Sequence, residues 1–244
     1  MKKTFLIILM MMSFAMTAAA QQIYNVKTSD RADGRMEQSV GTITLTGEVL
    51  NGMKTGTWIE NFPNTELPHY IIQYQEGKKN GLYMEFNKEG YIIKKVDYKN
   101  DLIDGTVFEW ARSGRLIKKQ EYKDGQLDGR TVICYDNGFL QEESEYKEGK
   151  KHGVTVWYSY ADKMQGPKAV MYTYVNGQFE GPQEVYYESG YLKSVKMFSE
   201  NVANGSAYEL YEDGSVKSEC TYKNGEVKGR VKEYKMGEKR IENC

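Results

Sequence analysis

The sequence predicts an all-β protein, an elongated meander of antiparallel β-hairpins built from 24-residue repeats. At six places a tyrosine is followed seven residues later by a glycine, and a phenylalanine replaces the tyrosine at a seventh. Neighbouring glycines of this series lie 24, 24, 24, 28, 24 and 24 residues apart. A fixed period of that length is typical of repeat proteins. The pairs are Tyr74/Gly81, Tyr98/Gly105, Tyr122/Gly129, Tyr146/Gly153, Tyr174/Gly181, Phe198/Gly205 and Tyr222/Gly229.

One repeat, beginning at Gly105, shows the predicted unit. Residues 106–110 and 116–122 are rich in β-prone residues, and a short polar turn around Gly114 separates them. Residues 123–129 are predicted to form the turn into the next unit. A second glycine lies nine residues after the first in most repeats, where a hairpin loop favours a residue that tolerates positive φ. These loop glycines are Gly90, Gly114, Gly138, Gly190 and Gly214.

Strict alternation predicts which side chains share a face of the sheet. Counted from each repeat glycine, positions +3 and +5 carry Met84 and Phe86 in one repeat, and we expect them on the core face. The same face is expected to hold the second-strand residues equivalent to Ile92 and the repeat tyrosines. Position +4 then belongs to the opposite face.

The two ends of the chain differ from the repeats. Lys2 and Lys3, an apolar run from Phe5 to Met16 and the small residues of 18–20 predict a secretory signal peptide over residues 1–20. Residues 21–52 are an atypical segment or cap, and residues 53–244 form the repeat domain. The mature chain is expected to be exported, periplasmic or extracellular, without an integral membrane span.

Composition excludes several partners and cofactors. Without Lys2 and Lys3, 31 basic residues stand against 34 acidic ones, a net charge of −3, which argues against nucleic acid as a partner. The three cysteines, Cys134, Cys220 and Cys244, cannot all pair in one chain, and we expect free thiols. No C-x-x-C spacing is present and the chain has two histidines, so neither a metal nor another cofactor is predicted.

The repeat also resembles a known family. The pattern G-x-x-x-G, an aromatic residue at position +5, a turn glycine and a closing Tyr-Lys-x-Gly is similar to the bacterial variant of MORN repeats over about residues 47–244. It is clearest in the segments 81–153 and 181–229, for example in the run 121–129. The resemblance implies a meander of hairpins. It also implies kinship with YwqK-family antitoxins, which neutralise a partner protein.

The middle repeats supply a candidate binding patch. Position +4 carries Glu85 and Glu109 early in the chain and Glu209 and Glu233 late, but apolar residues in between. An exposed apolar patch of several hundred Å² usually marks a binding surface. The alternative is that the chain covers it, by curling or with the segment 21–52. The candidate residues are Ile133, Tyr135, Trp157, Met171, Val185, Tyr187, Val195 and Met197.

No catalytic constellation accompanies this patch. The residues therefore predict an exported, non-enzymatic scaffold for protein or glycan recognition, with an antitoxin-like role of occluding a partner protein as the second hypothesis. A hydrolase acting on surface polymers is a third. The four extra residues around 164–167 enlarge a loop beside Trp157, and such insertions often carry recognition. The oligomeric state is not determined by these features.

Overall fold

The computed structural model describes residues 26–237 and confirms the all-β meander. No helix occurs among these residues. They form seventeen strands: β1 (Gly34–Val40), β2 (Ile43–Leu50), β3 (Met53–Asn61), β4 (Pro68–Gln75), β5 (Lys78–Phe86), β6 (Ile92–Lys99), β7 (Leu102–Trp110), β8 (Leu116–Lys123), β9 (Gln126–Cys134), β10 (Leu140–Lys147), β11 (Lys150–Tyr158), β12 (Lys168–Val175), β13 (Gln178–Tyr186), β14 (Leu192–Ser199), β15 (Val202–Leu210), β16 (Val216–Lys223) and β17 (Glu226–Glu233).

Each strand pairs antiparallel with the next one along the chain. β1 pairs with β2, β2 with β3, and the series continues to β16 and β17. Contacts between strands are therefore local in sequence, as expected for a repeat protein in which each unit packs on its neighbours. The segment before the repeats contributes β1 and β2 to the same sheet.

Two-residue turns close the repeats and also link them to one another. Asp124 and Gly125 join β8 to β9 with φ values of 48° and 82°, which are the values of a hairpin turn with two left-handed residues. The Gly125 N–H donates to the Ile103 carbonyl of the preceding repeat at 2.8 Å. The equivalent Gly149 N–H donates to the Leu127 carbonyl, also at 2.8 Å. One edge of the sheet is thus tied together repeat by repeat.

The repeat glycine lies inside a strand rather than in a turn, which corrects the sequence analysis. Gly105 belongs to β7 and faces Tyr122 across the β7–β8 pair, whereas on its other side the pairing with β6 shifts register. It adopts φ 125°, and a Cβ there would lie 2.9 Å from the Asp97 Cβ. The Asp97 carboxylate accepts a hydrogen bond from the Thr106 N–H at 3.2 Å. The recurring repeat glycine therefore lies at a β-bulge, and the turn between repeats is shorter than predicted.

The loop glycines occupy the predicted hairpin loops. In the loop between β7 and β8, the Ala111 N–H donates to the Arg115 carbonyl and the Gly114 N–H donates to the Ala111 carbonyl, both at 2.8 Å. Gly114 has φ 80°, which a residue with a side chain rarely adopts.

Strand pairing corrects the predicted faces. Tyr98 lies opposite Gly81, and Val96 lies opposite Tyr83, so the repeat tyrosines share a face with positions +2 and +4. Met84 lies opposite Lys95 on the other side. A register shift between Glu85 and Phe86 changes the alternation along β6, which is why counting by twos from Ile92 failed. We call the side with Tyr83, Val96 and Tyr98 the tyrosine face and the other side the reverse face.

The apolar core lies on the tyrosine face near the N-terminal end of the described chain. Trp58, Ile72, Tyr83, Val96 and Val107 follow one another along a row of directly opposed residues, and all are buried. The core adds Val26, Met36, Leu45, Val49, Tyr70 and Tyr74. In the last repeats the same row is more polar, and every residue of β17 is exposed.

Candidate functional site

A second row on the tyrosine face carries the candidate site. Ile133, Glu142, Trp157, Val170 and Val185 lie directly opposite one another in turn, on β9 to β13. Three of the predicted residues thus share one row, as the sequence analysis expected. Glu142 and Val170 were missed, because a register shift in each second strand hides which residue lies opposite position +4.

Earlier strands fill the same row with alternating charges. Glu109 lies between Lys94 and Lys118 in the strand pairing, at 3.3 Å and 2.9 Å from their ammonium groups. Burial raises the pKa of the Glu109 carboxyl, but the two lysines outweigh it and hold that pKa below its usual range. Opposed charges of this kind stabilise cross-strand pairs. The stretch from Ile133 to Val185, which is apolar except for Glu142, interrupts this ladder.

Trp157 is the exposed member of the apolar stretch. Its accessible fraction is 37%, whereas Trp58, in the N-terminal core, is completely buried. Residues 34–50 do not cover Trp157 as a cap. They form β1 and β2, which extend the sheet at its N-terminal end. Within residues 26–237, therefore, the indole ring remains open to solvent.

The Lys151 side chain lies beside Trp157, and three aromatic rings surround its ammonium group. Its ammonium group lies 5.9 Å from the ring centre of Tyr146, 5.7 Å from that of Trp157 and 5.4 Å from that of Tyr174. These distances allow cation–π attraction to all three rings. The same ammonium donates to the Glu142 carboxylate at 2.6 Å, and Glu142 is only 5% exposed. We call Glu142, Tyr146, Lys151, Trp157 and Tyr174 the Trp157 site.

The two tyrosines of the Trp157 site remain protonated at physiological pH. Burial, followed by the effect of the neighbouring Tyr172, raises the pKa of Tyr174 to about 12. Burial and the Glu142 carboxylate also raise the pKa of Tyr146. The site therefore combines neutral aromatic walls with one ion pair, which suits the binding of a polar group next to an apolar surface.

Three other predicted residues lie on the reverse face. Met171 pairs with Val156 and Glu184, Val195 pairs with Glu184, and Met197 pairs with Pro182. They cannot form one continuous patch with Trp157, because opposed residues project to the same side and the two sets project to opposite sides. This corrects the single patch of the sequence analysis. A binding role for the reverse-face residues stays a prediction.

Tyr135 and Tyr187 lie at the edge where the long hairpin loops are. The Tyr135 hydroxyl donates to the Tyr158 carbonyl at 2.7 Å, and the Tyr187 hydroxyl donates to the Leu210 carbonyl at 2.7 Å. Tyr211 makes the equivalent bond to the Tyr234 carbonyl at 3.0 Å. A tyrosine at position +6 thus joins a repeat to the next one. Its recurrence at that position was the sequence signal for this structural role.

The longer loop of the irregular repeat is fastened to its neighbour. The Gln165 side chain accepts from the Leu140 N–H at 2.7 Å and donates to the Leu140 carbonyl at 3.1 Å. The Asn137 amide donates to the Ala161 carbonyl at 2.7 Å. The inserted residues therefore serve to dock the loop on the preceding hairpin.

Potential metal ligands and reactive thiols do not form a cluster among the described residues. Among residues 26–237 no group of three or more His, Cys, Asp or Glu side chains is arranged to hold a metal ion. Cys134 and Cys220 are free thiols, as predicted, and Cys244 lies outside the described residues. Burial, followed by the effect of Glu143, raises the pKa of the Cys134 thiol, which favours the less reactive form.

Comparison with known proteins supports the repeat type. Residues 203–224 match the family model described as a MORN repeat variant. Those residues span most of β15 and β16, one hairpin of the series, and its register shift between Glu209 and Leu210 has an equivalent between Glu109 and Trp110 in the β7–β8 hairpin. The chain is therefore similar to MORN-like repeat proteins, a repeat type without catalytic function. The match carries no support for the antitoxin resemblance.

Two other comparisons add little. No curated protein matches the chain. A solved structure of a porin-like protein from Bacteroides uniformis is similar over 82% of this chain and 92% of that chain, at 11% identity and a TM-score of 0.18. Similarity at that level supports no inference about this molecule. Within the described part of the chain, no helix is long and apolar enough to cross a membrane.

Proposed function

We propose that this chain is an exported, non-enzymatic repeat scaffold that binds a protein or glycan partner at the Trp157 site. The observation that carries the proposal is the exposed indole of Trp157, in a row where the earlier strands place paired charges. Aromatic side chains held on a rigid surface are the residues that most often anchor a partner. Export rests on the sequence of residues 1–20, which lie outside the described residues.

The Trp157 site offers two kinds of contact within a small area. The indole face supplies apolar area for a side chain or for the apolar face of a sugar ring. Lys151 supplies a donor beside it, and the buried Glu142 carboxylate holds that ammonium in place. Such a combination gives affinity through the ring and specificity through the ammonium group. Because the strands around it are paired antiparallel on both sides, the site is largely formed before a partner arrives.

The test compares Trp157→Ala with Trp110→Ala in the full chain. Trp110 lies at the end of β7 on the reverse face, stacked on Phe108 with ring centres 5.5 Å apart. Immobilised wild-type protein and both variants are exposed to a cell-envelope extract and to a glycan array. We expect Trp157→Ala to weaken partner binding by about 2 kcal/mol or more, and Trp110→Ala to leave it unchanged.

Stability measurements on the same variants complete the test. Since Trp157 is already partly exposed, its truncation is expected to cost less than about 1 kcal/mol of unfolding free energy. Partners that are retained equally by wild type and Trp157→Ala would contradict the proposal. Retention that depends on Trp157 in the extract but not on the array identifies a protein partner, and the converse identifies a glycan.

A further inference from the structure

A separate cavity lies at the other end of the described chain, between β15, β16 and β17. Its volume is about 490 Å³, within the roughly 300–1,000 Å³ that small-molecule sites occupy. None of its residues belongs to the Trp157 site. The lining comprises Ser206, Ala207, Tyr208, Leu210, Val216, Glu219, Cys220, Thr221, Lys228, Arg230 and Lys232.

One part of this lining is apolar. Tyr208, Leu210 and Val216 are half-buried side chains from adjacent strands, with Leu210 directly opposite Val216. Tyr208 lies opposite Val195 on the other side, and Val195 is buried. The cavity therefore has an apolar floor that continues into packed structure.

The other part of the lining carries positive charge from β17. Lys232 is neutralised by Glu219 at 3.1 Å, and Glu219 also accepts from the Tyr234 hydroxyl at 2.9 Å. Lys228 has a 3.8 Å contact with Glu226, and both side chains are mostly exposed, so this pair is weak. The Arg230 guanidinium has no ion pair or hydrogen bond among residues 26–237. Two cations thus remain available at the mouth of the cavity.

We propose that this cavity binds a small amphipathic anion. The apolar part of the ligand lies on Tyr208, Leu210 and Val216, and its carboxylate, sulfonate or phosphate group is held by Arg230 and Lys228. Arginine is well suited to this role, because its planar fork donates two parallel hydrogen bonds to one anionic group. A purely apolar ligand would form no ion pair with Arg230 or Lys228, and a simple inorganic anion would make no contact with the apolar floor.

The experiment uses the fluorescent probe 8-anilinonaphthalene-1-sulfonate, which has apolar rings and one sulfonate. The probe is titrated into the wild-type chain and the double variant Lys228→Gln/Arg230→Gln. We expect the double variant to bind it at least about tenfold more weakly, as the loss of charge-assisted hydrogen bonds implies. The control is Arg112→Gln/Lys223→Gln, which removes the same charge outside the cavity and is expected to bind like wild type.

Competition experiments test whether the site needs both the apolar part and the anionic group of a ligand. Octanoate is expected to displace the probe from the wild-type chain at a concentration at least about tenfold lower than either acetate or octanol requires. Equal probe binding by wild type and the cavity variant would overturn the proposal. Equal weakening of both double variants would also overturn it, since the effect would then come from net charge. Thermal unfolding of each variant confirms that these exposed substitutions leave the fold intact.

Discussion

The two ends of the tyrosine face have the same backbone arrangement and differ in the side chains that it carries. Near the N-terminal end the row from Trp58 to Val107 is large, apolar and buried. Near the C-terminal end the same row continues with Gln183, Lys196 and Ala207. Hairpins and bulges of the same kind can thus form with very different amounts of buried apolar surface. The backbone hydrogen bonds and turns recur because they depend little on the side chains of this row.

Burial and exposed surface follow the same division. The N-terminal repeats supply the packed core, the middle repeats present the exposed Trp157, and the last repeats leave a cavity beside an entirely exposed strand. In a repeat array, stability is approximately a sum of local terms, so one end can anchor the fold while the other presents surfaces.

The largest expected effect comes from truncating the core row at its N-terminal end. Trp58 is completely buried and its indole N–H donates to the Glu48 carbonyl at 3.1 Å. Trp58→Ala is expected to lower the unfolding free energy by about 3–5 kcal/mol, as a cavity in a core does. Tyr172 occupies the same row but is only half-buried, and Tyr172→Ala should cost about 1–2 kcal/mol. Urea unfolding of both variants measures the difference, and equal losses would show that the core is not confined to one end.

A smaller effect is expected at the bulge glycines. Gly105 has φ 125° and an added Cβ would lie 2.9 Å from the Asp97 Cβ, whereas Gly181 has φ 82° and would meet only the Thr173 Cβ at 3.9 Å. Gly105→Ala is therefore expected to cost about 2 kcal/mol or more, since it adds a clash to backbone strain. Gly181→Ala adds backbone strain without a clash and is expected to cost about 1 kcal/mol of unfolding free energy. Thermal melts of the two variants test this, and a larger loss at Gly181 would contradict the contact argument.

An effect of similar size is expected from the N-terminal core, as a pH dependence of stability. Burial lowers the pKa of Lys54 from 10.5 to about 8, and its ammonium lies 5.1 Å and 5.2 Å from the ring centres of Trp58 and Tyr74. Between these pKa values the unfolded chain holds more protons at this lysine than the folded chain, so stability rises with pH. From pH 8 to 9.5 the gain is about 1.5 kcal/mol.

The matched variant for that pH dependence is Lys54→Met, which keeps the length of the side chain and removes its titration. Urea unfolding at pH 8 and pH 9.5 should show a rise in stability for the wild-type chain and a smaller rise for Lys54→Met. The same rise in both would assign the pH dependence to other groups.

Much of the architecture was predictable because it is set by local backbone requirements. The loop glycines and the closing turns each need left-handed φ at fixed intervals; glycine, asparagine and aspartate provide it at most of these positions, and Glu76, Glu148 and Glu200 provide it in three closing turns. The repeat glycine was found from its period but was placed in a turn. Sequence alone does not distinguish a turn from a bulge, since glycine is favoured in both by a positive φ.

The sequence by itself thus determined the hairpins, their period and the unusual apolar residues Ile133, Trp157 and Val185. Only the tertiary structure decided which residues share a face. Each repeat contains register shifts that break strict alternation, so Met171, Val195 and Met197 moved to the reverse face. It also decided that Glu142, Trp157 and two tyrosines surround the Lys151 ammonium, because these contacts join different strands and depend on the register between them.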